Sequence, residues 1–459
     1  MERPELIYFI GIGGIGMSGL ARYFRRQGAT VAGYDKTPGE VAAQLAHEGI
    51  DVSYSTDPRN IPGEFRVADP AKLLVVRTPA VPLDNPLIAY WEQRGAVIKK
   101  RSEVLGLVTR DRRTLAVAGT HGKTTVSTML AHLLTQGGVP CNAFLGGIST
   151  NYDTNVLLNT NAVLNVVEAD EYDRSFLALH PADAVITAMD PDHLDIYGDA
   201  EAMYRAYADF AALVQGRILV HRRVMDRLRQ HVTNLRDAVP YGIDEVDGPH
   251  AEHVAVGDGK YHFDLVLNGT VLRGLTLGMP GRHNVENAVA AAAMAVHAGM
   301  NPEAVRKGLA SFQGVRRRFE VRARTSKSLF IDDYAHHPTE LETCIRSVRE
   351  LYPGRTITGI FQPHLYSRTR DLADGFAHSL ALLDELILLD IYPAREEPLP
   401  GITSAWLAKR IIGTNTTLCT KEQLVPLLKA RDVDILLTLG AGDVDRLVPA
   451  IATMLNANP

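Results

Sequence analysis

Cysteine is scarce in this chain: three residues, Cys141, Cys344 and Cys419, among 459. So few, so widely spaced, exclude a disulfide framework and a cysteine-rich zinc site. An excess of one charge is lacking too. Acidic and basic side chains nearly cancel to a net −5, so nothing electrostatic points to nucleic acid as a partner. No apolar run approaches membrane-spanning length. The first, residues 6–10, runs straight into a glycine loop and does not read as a signal peptide. Fixed-period repeats and low-complexity tracts are also missing. What remains is the composition of a soluble globular protein, 46% hydrophobic and 22% charged. Its length suits roughly two to four domains, each burying its own core. The expectation is a cytoplasmic enzyme, with monomer and dimer both open.

Short apolar runs alternate with helical patterns, the mark of parallel α/β architecture. The first block has a strand at 6–10, a glycine loop, a helix through Phe24, and strands at 30–34 and 73–76. The charged run Arg110-Asp111-Arg112-Arg113 marks its end. The second block carries strands at 115–118, 163–167 and 184–187 and closes on an alanine-rich helix, 287–298. Arg316-Arg317-Arg318 marks the next boundary. Strands at 328–331, 356–361, 386–390 and 434–439 make up the third block.

The most informative segment is Gly119-Thr120-His121-Gly122-Lys123-Thr124-Thr125. It follows the strand at 115–118 and precedes Val126, Met129, Leu130, Leu133 and Leu134 at helical spacing. A glycine loop entering a helix aims backbone N–H groups at one point, where the helix dipole favours negative charge. Lys123 adds a cation, and the Thr124 hydroxyl suits a phosphate-bound Mg²⁺. The usual phosphate loop has a glycine five residues before its Gly-Lys pair. Here Val117 stands there, so the loop is a shortened form. The reading is a nucleoside triphosphate site.

A second glycine loop opens the chain. Gly11, Gly13 and Gly16 fit G-x-G-x-x-G between strand and helix, with Asp35 at the distance of a ribose-binding acid. A nicotinamide oxidoreductase is one reading. The amides would serve any diphosphate, however, and a sugar nucleotide satisfies the same geometry. Two nucleotide loops in one chain favour the latter.

Polar clusters follow several later strands. Glu168-Ala169-Asp170-Glu171-Tyr172-Asp173 offers four carboxylates, with Glu168 nearest the strand end and best suited to Mg²⁺. Asp192-His193 is a second candidate ligand pair. Gly281 to Asn287 opens the alanine-rich helix, where His283, Asn284 and Asn287 either read an adenine edge or cap the helix. Asp332-Asp333-Tyr334-Ala335-His336-His337-Pro338 ends with a proline placed to start a helix. The stretch from Gln362 through His364 to Arg368 and Arg370 reads as anion recognition or as a solvated basic turn.

Together these segments resemble the ATP-dependent Mur ligase family. The marks are GIGGIGMS at Gly11–Ser18, GTHGKTT at Gly119–Thr125, EADEYD at Glu168–Asp173, and Asp192-His193. They continue with His283-Asn284-x-x-Asn287, Arg316-Arg317-Arg318-Phe319, DDYAHHPTE at Asp332–Glu340, and Gln362 to Asp371. The resemblance implies an α/β chain of three domains: an N-terminal Rossmann-like domain for a UDP-sugar (1–110), a central P-loop ATPase-type domain (111–318), and a C-terminal Rossmann-like domain that closes on ATP and the amino acid (319–459). It implies joining L-alanine to the lactyl carboxylate of UDP-N-acetylmuramate through an acyl phosphate, with ATP and two Mg²⁺ ions. Gly119, Thr120, His121, Gly122, Lys123, Thr124 and Thr125 would hold the phosphates; His283, Asn284 and Asn287 the adenine; Arg318, Asp332 and Asp333 would also meet ATP. Thr124, Glu168 and His193 would ligate metal, and Lys123, Glu168 and His193 would be catalytic. Gly11, Gly13, Gly14, Ile15, Gly16, Ser18, Asp35 and Thr78 would bind the UDP-sugar. Tyr334, His336, His364, Arg368 and Arg370 would face the muramyl and alanine substrates.

Some positions depart from that pattern. No lysine lies between Lys123 and Lys260, so the carbamylated lysine that several sister ligases use as a metal ligand is missing, in keeping with the alanine-adding branch. Arg77-Thr78-Pro79 replaces a small hydroxyl pair, and Asp390-Ile391-Tyr392 runs into Pro393-Ala394-Arg395 where smaller residues are expected. The alternatives are a recycling ligase that adds a whole peptide to the same sugar nucleotide, and the oxidoreductase.

Overall fold

The structure, a computed structural model, describes residues 4–192, 194–232, 235, 237–244, 247–257, 259–267, 269–394 and 396–457, with the side chains of 194 and 195 excepted. It is an α/β chain built on three sheets. The first contains β1 (Leu6–Ile10), β2 (Thr30–Tyr34), β3 (Asp51–Ser53), β4 (Leu73–Arg77) and β5 (Val97–Lys100), in the order β3-β2-β1-β4-β5, all parallel. The second contains β6 (Arg113–Ala118), β7 (Cys141–Ser149), β8 (Thr154–Leu157), β9 (Leu164–Glu168), β10 (Asp183–Ile186), β11 (Ile218–His221), β12 (Ala238–Ile243), β13 (His250–Gly257), β14 (Lys260–Leu267) and β15 (Thr270–Leu277). Its order is β15-β14-β13-β12-β11-β10-β6-β9-β7-β8, parallel from β12 to β7, with β8 antiparallel on the edge. The third contains β16 (Glu320–Arg324), β17 (Leu329–Asp333), β18 (Ile357–Phe361), β19 (Glu385–Leu388), β20 (Asn415–Leu418) and β21 (Ile435–Leu439), in the order β16-β17-β21-β18-β19-β20. Only β16 runs antiparallel there.

The parallel strands are continuous apolar runs because helices cover both faces. β1, for example, buries every residue from Ile7 to Ile10. The strands expected from the sequence all form, with ends displaced by a residue or two. The alanine-rich helix starts earlier than expected, at Arg282, and runs to His297. The sequence reading missed β13–β15, although Tyr261, Phe263, Leu265 and Leu267 alternate with more exposed neighbours as a half-buried strand should.

The described chain divides into two compact units: residues 1–252, 264–275 and 286–312, and residues 253–263, 276–285 and 313–459. In the first unit one apolar cluster joins the first two sheets. It runs from Ile7, Phe9 and Leu20 through Val104 and Ala116 to Phe144 and Phe176. Helix Ile15–Arg26 lies against β7 and β8, where Asn155 Nδ2 donates to Ile15 O and Arg22 Nη1 donates to Asn155 Oδ1 at 2.6 Å. No described helix is long and apolar enough to cross a membrane.

Candidate active site

In the first unit, β1 ends at Ile10 and the chain turns into helix Ile15–Arg26, whose first turn carries no acidic residue. Such a helix start suits an anion. Gly11 and Ile12 donate N–H groups to Tyr34 O at 2.7 and 2.9 Å. Asp35 braces the same turn, accepting Gly13 N–H on Oδ2 at 2.7 Å. Thr78 flanks it from the end of β4, its N–H donating to Ile10 O at 3.3 Å. Ser18 is fully buried; its hydroxyl donates to Ile15 O and accepts from Asn155 Nδ2, both at 3.0 Å. Gly16 leaves space for a neighbour, since a Cβ there would fall 2.7 Å from Arg101 Nη1. Arg101 in turn pairs with Asp170 at 3.2 Å, and Lys100 with Asp173 at 2.9 Å. This basic pair ties the first glycine loop to the acidic loop of the second sheet.

That acidic loop follows β9, and residues 119–122 follow β6, its parallel neighbour. The two strand ends therefore present their loops side by side. Gly119 has φ +133°, and a Cβ on it would fall 2.1 Å from Thr187 Oγ1 and 2.7 Å from Ala188 N. The chain after β10 packs tightly here: Thr187 Oγ1 donates to His121 O, Thr120 N–H donates to Ala188 O at 3.2 Å, and Asp190 N–H donates to Thr120 Oγ1 at 3.0 Å. Gly122 caps helix Lys123–Gln136, again with no acid in the first turn. Asn287 Oδ1 sits 2.9 Å from where a Gly122 Cβ would lie, so Asn287 borders this loop.

Lys123 Nζ donates to Gly119 O at 2.7 Å and to Glu171 Oε1 at 2.8 Å. Burial alone would push its pKa down. Glu171, then Glu168 and Asp170, outweigh that and hold it above the ordinary lysine range, so the ammonium is kept. Glu168, at the end of β9, accepts Gly146 N–H at 3.1 Å. The carboxylate of Glu168 and the hydroxyl of Thr124 are hard oxygen donors of the kind Mg²⁺ takes. The negative field acting on Lys123 fits a divalent cation at the same place. Among the described residues no group of three or more His, Cys, Asp or Glu side chains is gathered for a metal, and His193 lies outside the described residues.

In the second unit, β17 ends in Asp332 and Asp333. Asp332 accepts Thr438 Oγ1–H at 2.6 Å and lies 3.5 Å from Arg317 Nε; burial raises its pKa. Asp333 accepts the N–H groups of Phe319 and Ala335 at 2.7 and 2.8 Å, and burial pushes its pKa up to about 6. It thereby pins the turn carrying Arg317 and Arg318, where Arg317 and Phe319 take left-handed φ values of +60° and +50°. Both guanidinium groups lie over the Tyr334 ring, at 5.0 and 5.4 Å. His336 follows, with its ring 5.2 Å from Tyr334 and 6.3 Å from His364. Burial lowers the His336 pKa, with Glu340 opposing and Arg368 adding to the shift. The structure thus gathers Arg318, Tyr334, His336, His364 and Arg368. Arg370 stands apart: it is exposed and paired with Asp371 at 2.7 Å. Asn284 is buried and donates its side-chain amide to Pro280 O at 2.6 Å, closing the turn that contains His283.

The sequence reading missed several contacts. Glu171, as the partner of Lys123, is one; nothing in EADEYD says which carboxylate turns inward. Arg101 is another. Gln362 bonds Asp443 at 2.9 Å and accepts Val444 N–H at 2.9 Å, bracing the glycine turn 440–442. Tyr392 stacks on His364 at 5.8 Å. The Gly-x-Gly-Asp run at 440–443 was the available sign for that turn.

Two glycine turns at parallel strand ends, with a lysine opposite acidic groups, define a nucleotide-dependent α/β enzyme. The chain belongs to the Mur ligase family. It matches the family models described as Mur ligase family, catalytic domain (residues 6–113), Mur ligase middle domain (117–295) and Mur ligase, glutamate ligase domain (317–442). Its relatives include proteins named UDP-N-acetylmuramate–L-alanine ligase. That of Flavobacterium johnsoniae is 47% identical over 100% of this chain and 99% of its own. That of Porphyromonas gingivalis strain W83 is 51% identical over 96% and 97%. Among solved structures, UDP-N-acetylmuramate–alanine ligase from Thermotoga maritima is 27% identical, with TM-score 0.83 over 99% of each chain. A murein peptide ligase from Psychrobacter arcticus, 24% identical with TM-score 0.70 over 98% of each, shares the fold.

Proposed function

We propose that this chain joins L-alanine to the lactyl carboxylate of UDP-N-acetylmuramate with consumption of ATP, a step of peptidoglycan precursor synthesis. The full-length identity to proteins of that name carries the reading, and the Lys123 turn supplies chemistry that suits it. A carboxylate is a poor acyl electrophile, so ATP first phosphorylates it, and the alanine amine then displaces phosphate through a tetrahedral intermediate. In this reading the amides of Gly119 to Thr125 and the Lys123 ammonium hold the β- and γ-phosphates. Thr124 and Glu168 would hold Mg²⁺ and His193 would help hold a second ion, and the bound metal would supply positive charge that offsets the repulsion between two anions. Asn287 and the turn of His283 and Asn284 are assigned to adenine, and Arg318, Asp332 and Asp333 to ATP as well. The first glycine turn, with Asp35 and Thr78, takes the UDP-sugar. Tyr334, His336, His364 and Arg368 face the acceptor or the amino acid. Domain limits at 1–110, 111–318 and 319–459 and a cytoplasmic location belong to the same proposal.

The test supplies ATP, Mg²⁺, UDP-N-acetylmuramate and a panel of amino acids, scoring phosphate release and sugar-nucleotide product. Release with L-alanine supports the proposal. Dependence on a tripeptide instead would transfer the assignment to peptide recycling, and a change in NAD(P)H absorbance to the oxidoreductase.

A further inference from the structure

Lys123 is not free to meet a phosphate. Its ammonium is folded back between Gly119 O at 2.7 Å and Glu171 Oε1 at 2.8 Å. Glu171 is buried, with 2% of its side chain exposed, and Lys123 is largely covered, with 13% exposed. The Glu171 backbone is anchored independently, since Tyr197 Oη donates to its carbonyl at 2.6 Å. Phe176, in the turn that follows, stacks on Phe210 at 5.0 Å and meets Tyr207 edge-on at 5.3 Å. The carboxylate is therefore carried to Lys123 by a fixed backbone. Its grip on Lys123 is single-point: among the described residues, buried Oε2 accepts no hydrogen bond. A buried carboxylate with an unused oxygen is costly to maintain, which fits a contact made to be exchanged.

We propose that Glu171 is an internal stand-in for phosphate. It holds the Lys123 side chain in place against Gly119 O and competes with the nucleotide for its ammonium, which sets nucleotide affinity. The proposal rests on the assignment of residues 119–125 to ATP. Glu171 is a positioning residue here: it acts through Lys123 and differs from Glu168, the metal candidate, in facing the cation.

The test measures ADP binding by calorimetry in EDTA, so that metal ligation does not enter. Glu171→Gln keeps the volume and an acceptor but removes the competing charge. It is expected to bind ADP about tenfold tighter, the lower end of what a hydrogen bond to a charged group contributes. Removing any nearby negative charge could favour an anion, so the same change is made on a Lys123→Met background, where the gain should vanish. Unchanged or weaker ADP binding by Glu171→Gln overturns the proposal, and so does an equal gain without Lys123. Glu171→Asp, whose shorter arm loosens the pair, serves if the glutamine variant does not unfold cooperatively; it should tighten ADP by a smaller factor, and no tightening overturns the idea. If Lys123→Met alone binds ADP as the parent does, the assignment of the turn fails instead, a distinct outcome.

Discussion

Gly119→Ala tests the phosphate turn more sharply than removal of any charge. Two costs meet at this position. A φ of +133° lies where only glycine is comfortable, and holding another residue there costs about 1–3 kcal/mol. The new methyl would also fall 2.1 Å from Thr187 Oγ1, 2.7 Å from Ala188 N and 2.9 Å from Thr187 N. Two of those three atoms are backbone, so a rotamer change cannot clear the space, and overpacking adds about 1–3 kcal/mol. The sum is roughly 2–6 kcal/mol, spent as lost stability or as displacement of the turn from β10. Thermal unfolding and ADP calorimetry together capture both. Gly138→Ala is the control: its φ is +74° and, its chain neighbours aside, no atom of the described residues lies within 4 Å of its would-be Cβ, so only about 1–2 kcal/mol of left-handed strain applies. The reasoning fails if Gly119→Ala matches the parent in both unfolding midpoint and ADP affinity, or if it is no worse than Gly138→Ala.

Other outcomes follow from the same contacts. Lys123→Ala should lose ATP-dependent turnover and also unfold at lower temperature, because the buried Glu171 is left uncompensated at a cost of about 3–5 kcal/mol; near-normal turnover in steady-state assays would refute this. Arg101→Met removes the link between the Gly16 turn and Asp170, and should raise KM for both UDP-sugar and ATP while changing stability by no more than about 1 kcal/mol; a change in only one KM would count against the link. Asp333 has a folded pKa raised to about 6 from 3.8, so its contribution is complete below pH 3.8 and is lost as pH rises through about 6, a difference of about 3 kcal/mol. Denaturant titrations between pH 4 and 7 should show that loss in the parent and a flatter profile in Asp333→Asn; parallel profiles would contradict the assignment.

Much of the site was legible because its backbone is locally encoded. Gly119, Gly122 and Lys123 announce a turn into a helix whatever surrounds them, and Pro338 starts its helix at the expected first position. The inner four residues of β1 are apolar because two faces are covered, which a sequence shows directly. Other features carried no such local mark. Of the four carboxylates in six residues, the sequence singled out only Glu168 and left the partners of the other three undetermined. In space Asp170 and Asp173 are taken by Arg101 and Lys100, Glu171 by Lys123, and Glu168 stays at the strand end facing Gly146. Asp332 and Asp333 are neighbours in the chain with different partners: Asp333 uses both oxygens on backbone N–H groups, while Asp332 accepts the Thr438 hydroxyl. Arg370 shares its short helix with Arg368 but emerges on the exposed face.

Residue order alone was enough for the class of fold and the two glycine turns, since those depend on periodicity and on φ values confined to a few residues. Which ion pairs with which was settled by folding. Partners such as Lys123 and Glu171, or Arg101 and Asp170, lie 48 and 69 positions apart. Charge interactions act through space and burial, and strands adjacent in a sheet need not be adjacent in the chain.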